Sequence, residues 1–158
     1  MKEIQLTQGK IAIVDDDDFE NYGHFSWYAY NGHGNFYARR NLRLDENTRT
    51  SIVLHREIMK PGPGFWVDHI NHNTLDNRRS NLRICTPQQS AMNHDPLKFK
   101  TTSGFPGVTW DKDRKKWSAQ ICINRNKKHI GQYLDKNEAH KAYIVASKKY
   151  FGAFSPYA

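Results

Sequence analysis

Cysteine is nearly absent from this chain: Cys85 and Cys122 are its only two, far apart and in no CxxC arrangement. That excludes a disulfide framework and a structural cysteine–zinc site. No apolar run approaches the roughly 20 residues of a membrane span, and Met1-Lys2-Glu3 leads into no signal-like apolar region. The expectation is a soluble protein that stays in the compartment where it is made. Carboxylates are scarce towards the end. Residues 103–158 hold 4 Asp/Glu against 11 Lys/Arg, whereas residues 1–102 hold 12 against 13, so most of the net charge of +8 lies in the last third. A basic third is the footprint of a polyanion-binding surface. A chain of 158 residues, 37% hydrophobic and 13% aromatic, allows one ordinary domain or two small ones with a modest core.

What is present begins with alternation. Glu3–Leu6 and Lys10–Val14 read as two short strands around a Gln8-Gly9 turn. The acidic run Asp15 to Asp18 reads as a helix N-terminus rather than a metal site, because four adjacent carboxylates point in different directions. Ser26–Tyr30 and Asn35–Leu42 are aromatic-rich strands around Asn31-Gly32-His33-Gly34. Arg39, Arg40 and Arg43 at the end of the second strand either touch phosphate or solvate a sheet edge. Ser51–Leu54 is a further strand. His55 to Met59 starts a brief helix that Pro61-Gly62-Pro63-Gly64 stops.

The densest polar stretch runs from Trp66 to His94. Phe65-Trp66-Val67 and the surroundings of Ile84 read as strands. Thr86 as N-cap, Pro87 at the first helical position and Gln89 three residues after Thr86 start a helix to about His94. The order is strand, polar loop, strand, helix. Val67-Asp68-His69-Ile70-Asn71, Leu75-Asp76-Asn77-Arg78 and Asn81-Leu82-Arg83 resemble the HNH nucleases, in particular the phage homing-endonuclease branch.

The resemblance implies a ββα core gripping one divalent metal. It places a metal ligand at Asp68, the general base at His69, and at Asn81 the amide that ties the loop and orients His69. Oxygen donors from Asp and Asn suit a hard ion, Mg²⁺ or Mn²⁺. Such an ion neutralises the phosphate and the leaving oxygen, while a neutral imidazole takes the proton from water. Arg78, Arg79 and Arg83 are candidates to hold phosphates.

In phage-type HNH sequences the second ligand is an Asn or His on the helix, and alignment on Asn81-Leu82-Arg83 places it at Ser90. Ser90 binding through water, substitution by Asn93 or His94 one turn on, and an impaired site all remain open. The His55-Arg56 pair also belongs to the phage-type pattern; for His55 a structural role is favoured. His72 could join the site or contact DNA. Zinc held by His69, His72, His94 and a cysteine matches no known finger spacing.

Residues 95–104 read as a linker. Beyond it lie three strands, Gly107–Trp110, Trp117–Ile123 and His129–Tyr133, with polar turns at Asp111–Lys116 and Asn124–Lys128. Asp135 caps a helix with Glu138 three residues on, and Ala139, Ala142, Tyr143, Ala146 and Tyr150 make one face. Phe151-Gly152 ends it. With Gly107-Val108, Trp117, Ala119, Ile130-Gly131 and Glu138-Ala139, residues 103–154 are similar to the plant ethylene-response-factor DNA-binding domain. That family lays its sheet in the major groove. Pro106 and Thr109 stand where it usually has arginines, so base readout does not carry over. Phosphate contact from Lys112, Arg114, Lys115, Arg125, Lys127 and Lys128 does.

The expected architecture is α+β. A β-rich region (1–53), an HNH core (54–94), a linker (95–104) and a three-stranded antiparallel sheet packed on one helix (105–158) follow in order. The expected activity is metal-dependent hydrolysis of double-stranded DNA, with no membrane or obligate protein partner, in the cytoplasm of a bacterial host if phage-encoded. A non-catalytic DNA-binding protein with a degenerate core is the alternative that Ser90 favours. RNA binding is a weaker one, since the A-form major groove is too narrow for a sheet.

Overall fold

The alternating N-terminus folds as its pattern requires. In the computed structural model, which describes residues 1–32, 34–93, 95 and 101–158, β1 (Lys2–Gln5) pairs antiparallel with β2 (Ile11–Val14). Ile4, Ala12 and Val14 turn inward and their neighbours outward. The acidic run opens α1 (Asp16–Tyr22), its carboxylates in the first turn where the helix dipole favours them.

The chain forms two compact units, 1–87 and 88–158. In the first, β3 (Tyr28–Gly32), β4 (Asn35–Arg43) and β5 (Arg49–Val53) form a sheet in that order. The strand bearing Arg39, Arg40 and Arg43 is therefore central, not an edge. Arg40 faces inward and packs its guanidinium 4.1 Å from the Phe25 ring, with Glu57 3.8 Å away. Helix α2 (Leu54–Met59) buries Leu54 and Ile58 and ends where Lys60 takes a left-handed conformation, φ 45°. Strands β6 (Trp66–His69) and β7 (Leu82–Cys85) form an antiparallel pair. Ile4, Val14, Trp27, Ala38, Leu54 and Leu82 belong to one core, so the N-terminal sheets, α2 and the β6–β7 pair are one packed body across position 53/54.

Helix α3 (Pro87–Met92) starts at the unit boundary. From Gln88 on it belongs to the second unit: the Gln88 amide bonds to Asn124, and Met92 packs beside Ile121 and Tyr143. The helix stops short of His94, which lies outside the described residues. The unit thus begins ahead of the linker expected over 95–104. Of that stretch 96–100 lie outside the described residues, while Ser103 is buried and donates to Val108 O at 2.7 Å.

Strands β8 (Val108–Asp111), β9 (Lys116–Ile123) and β10 (Asn126–Tyr133) form an antiparallel sheet with β9 central. The β9–β10 connection is only Asn124-Arg125, both at positive φ (52° and 66°), as a tight hairpin needs. The strands therefore run further than the polar turn suggested. Asp135 caps α4 (Lys136–Phe151), accepting from the backbone of Asn137 and Glu138. Ala139, Tyr143 and Ala146 pack inward as expected, joined by Ser147 and Phe151. Tyr150 does not. The i+4 ridge from Tyr143 passes through Ser147 to Phe151, leaving Tyr150 on the flank under the Lys128 ammonium at 4.8 Å.

Gly107 holds the sheet close to α4. Its φ is 68°, and a β-carbon there would stand 2.4 Å from Gln120 O and from the Tyr143 ring. Gly107→Ala is expected to cost the second unit about 3 kcal/mol or more, from strain and overpacking together. An unchanged thermal melt would contradict this account of the close approach.

Candidate active site

The β6–β7 register sets Asp68 opposite Arg83 and His69 opposite Leu82. Asp68 and His69 are buried, at 8% and 6% exposure. Arg83 donates Nε to Asp68 Oδ2 at 2.9 Å, and its Nη2 stands 2.7 Å from the same oxygen. The Asp68 carboxylate is thereby held by a charge-assisted hydrogen bond and ion pair across the strand pair. On the other side of the strand the His69 ring meets His55 of α2 edge-on, centroids 5.0 Å apart, and Tyr37 of β4 at 6.4 Å.

Between the two strands the chain makes a polar loop with one bridge to β2, at Ile13 and Asp76, and side chains satisfy much of the remaining backbone. Asn81 spends both ends of its amide there: Oδ1 accepts from Asn71 N at 3.0 Å, and Nδ2 donates to Asp76 O at 2.7 Å. Asp76 is gripped by Arg78 through Nε and Nη2, at 2.8 and 2.6 Å, and by the Asn71 amide at 2.9 Å. The loop also bonds to β2: Ile13 N to Leu75 O at 2.8 Å, and Asn77 N to Ile13 O at 2.7 Å. Arg79 reaches back to α1, its guanidinium on both oxygens of Asp18 and its backbone N–H on Asp15. The acidic run is thus an arginine anchor.

A hydrogen bond to the imidazole comes from Asn77, which the sequence analysis did not single out, although it lies in the quoted Leu75–Arg78 motif. Asn77 Oδ1 is 3.3 Å from His69 Nε2, and Asn77 Nδ2 donates to Leu75 O at 3.1 Å. The second bond fixes which end of the amide faces the ring. A carbonyl oxygen only accepts, so His69 Nε2 carries its proton and Nδ1 carries the lone pair. Burial pulls the His69 pKa below the ordinary value, against the raising influence of Asn77, Asp68 and Asp76. The ring is therefore neutral near pH 7. Burial, with His69 and Arg56 adding, pushes His55 down to about 3, so it too is neutral.

Arg78, Arg79 and Arg83 are each bound to a carboxylate, at Asp76, Asp18 and Asp68, which gives all three structural work. Ser90 and Asn93 lie on the second unit's side of the boundary, where Asn93 is buried and its N–H donates to Ser90 O. Lys112, Arg114 and Lys115 are exposed in the β8–β9 turn; Arg125 and Lys127 are exposed at the β9–β10 hairpin. Lys128 lies opposite Ile121, on the helix side of the sheet, unlike Lys127. His72 sits in the loop at φ 64° and donates its N–H to His69 O.

Among the described residues no three His, Cys, Asp or Glu side chains form a metal set; His94 of the zinc reading lies outside them. Asp76 is bound to Arg78 and Asn71, and Asp68 to Arg83; of the two, Asp68 is the carboxylate next to His69 in the chain. A single carboxylate with water and phosphate oxygens completing the shell fits a hard divalent ion.

Residues 60–92 match the family model described as HNH endonuclease. The HNH-matching segment thus contains the Asp68-His69 strand, the polar loop, β7 and α3. An uncharacterized HNH endonuclease of Acanthamoeba polyphaga mimivirus is 28% identical over 149 residues, 94% of this chain and 74% of that protein. Protein 3.8 of Escherichia phage T7 is 34% identical over 58 residues, 37% of this chain and 47% of its own. A second uncharacterized mimivirus protein is 28% identical over 128 residues, 80% of this chain and 36% of that one. The chain thus spans less than half the length of the latter two. No solved structure matches.

The tautomer assignment is directly measurable. Long-range ¹H–¹⁵N correlation of the His69 ring near pH 7 is expected to show the proton on Nε2. Asn77→Ala should mix the tautomers and cost about 2 kcal/mol by stranding buried polar groups. A parent ring protonated on Nδ1 would contradict the assignment.

Proposed function

We propose that the chain is a metal-dependent DNA endonuclease of the phage homing kind. The observation that carries this reading is a neutral, buried His69 with an oriented lone pair beside an Arg83-paired Asp68, inside the HNH-matching segment. His69 Nδ1 takes the proton of the attacking water; at its depressed pKa the ring is unprotonated and ready at neutral pH. Asn77 keeps the proton on the other nitrogen. Asn81 holds the loop that carries Asn77, and Arg83 keeps the Asp68 carboxylate aimed.

Asp68 would hold a magnesium or manganese ion, with water and phosphate oxygens completing its shell. Such an ion, when bound, supplies charge neutralisation at the phosphate and the leaving oxygen.

The second unit supplies the DNA-binding module of this reading. Its sheet presents Ser118, Gln120, Lys127 and His129 on the face away from α4, a polar surface like that of the ethylene-response-factor domain. Lys112, Arg114, Lys115, Arg125 and Lys127 contact phosphate. Lys128, seated on Tyr150, contributes from the sheet's flank. Backbone contacts carry little sequence information, so a second module lengthens the site read. DNA in the host cell is the substrate. Ser90 favours one other reading, a DNA-binding protein whose nuclease core has lost its second ligand.

Cleavage of supercoiled plasmid separates the two. The parent is expected to nick in magnesium or manganese and to stop on chelation. His69→Ala should fall at least about 100-fold, the span a general base contributes. Cutting confined to Ser90→Asn would establish the impaired core. No cutting by parent or Ser90→Asn, on DNA that both bind, would overturn the nuclease reading.

A further inference from the structure

The arginines of the first unit fall into two sets. Arg40, Arg78, Arg79 and Arg83 each stand against a carboxylate. Arg39, Arg43 and Arg49 are in no ion pair among the described residues, and all three lie on one face of the β3–β4–β5 sheet. The register shows this: Tyr28 pairs with Arg39, Tyr30 with Tyr37, and Arg43 with Arg49, while the alternate pair Ala29–Ala38 faces the core. The three strands contain no Asp or Glu at all.

This outer face combines three tyrosines with three unpaired cations. The Arg39 guanidinium stacks 4.1 Å from the Tyr30 ring, which holds it flat against the sheet. Tyr28 Oη donates to Asn41 Oδ1 at 3.2 Å. Arg43 donates to the carbonyls of Asp45 and Glu46, which fixes its reach. At one end of the row Tyr37 touches the candidate site, 5.8 Å from His55 and 6.4 Å from His69. From Tyr37 to Arg43 the strand advances about 20 Å, the length of about six base-pair steps at about 3.4 Å each.

We infer that this sheet face seats the phosphate backbone of duplex DNA flanking the bond cut at His69, with Arg39, Arg43 and Arg49 as its cations. The charge is of the right sign and is not neutralised within the fold. The face is continuous with the catalytic histidine, so a strand held there leads into the site. Tyrosine hydroxyls add neutral donors to phosphate oxygens. The identity of the bond rests on the nuclease reading; the surface itself does not.

The test is the salt dependence of binding. The full chain carrying His69→Ala is titrated against a labelled 30-base-pair duplex in chelator, with and without Arg39→Gln, Arg43→Gln and Arg49→Gln together. Each lost phosphate contact lowers the slope of log K against log salt by about 0.9, so the triple variant should lose about 3 and bind at least tenfold more weakly. The corresponding triple lysine variant should keep the slope. Should the triple glutamine variant fail to fold, Arg49→Gln alone, at an exposed strand position, should still lose about 0.9. An unchanged slope in folded protein overturns the proposal, as does a larger loss on duplex RNA than on DNA. Cleavage by the His69 parent with an unchanged slope would leave the nuclease and sink the surface; a lowered slope without cleavage would do the reverse.

Discussion

Two antiparallel strands are usually joined by a tight turn, but β6 and β7 are separated by residues 70–81, a loop with a single bridge, to Ile13 of β2. Its peptide groups are partly buried, and an unpaired one costs as much as a lost hydrogen bond. Asparagine side chains meet much of that demand, Asn73 among them through Leu75 N. Asn71, Asn77 and Asn81 pair with backbone or with Asp76, and Asn77 passes the constraint on to His69. The geometry of the His69 ring thus depends on how the loop satisfies its own backbone.

The loop is not self-sufficient. Ile13 bonds to Leu75 and Asn77, Asp15 and Asp18 hold Arg79, Phe36 O accepts from Thr74, and Tyr37 and His55 lie against His69. All these partners precede residue 60, where the HNH match begins. A segment of 33 residues carries the HNH match, and the 59 before it supply the walls. The same division orders the arginines: those in or beside the loop are spent on carboxylates, whereas those on the outer sheet face are in no ion pair among the described residues.

Much of this was legible in advance. The two N-terminal strands, the helix after the acidic run, the Asp-His strand and the capped C-terminal helix follow from alternation, capping and turn chemistry, which are local. Tyr150 was assigned to the buried face because spacing alone cannot say how wide the face is; Ser147 and Phe151 take its place. For Arg39, Arg40 and Arg43 phosphate contact and a sheet edge both stayed open, because no strand pattern reveals which strand is central. His55 was set aside as a packing residue, and it does pack, but against the ring of His69.

The sequence by itself determined the residue types and spacing of the Asp68-His69, Leu75–Arg78 and Asn81–Arg83 motif, and with them the chemistry available. It also determined where charge accumulates. Only the tertiary structure decided which groups meet. Asn77 rather than Asn81 bonds to the imidazole at Nε2, Asp18 answers Arg79 across 61 positions, and three arginines are left on one face. Hydrogen bonds and ion pairs act over about 3 Å in space and are indifferent to separation along the chain. A local pattern names the groups, and the fold chooses their partners.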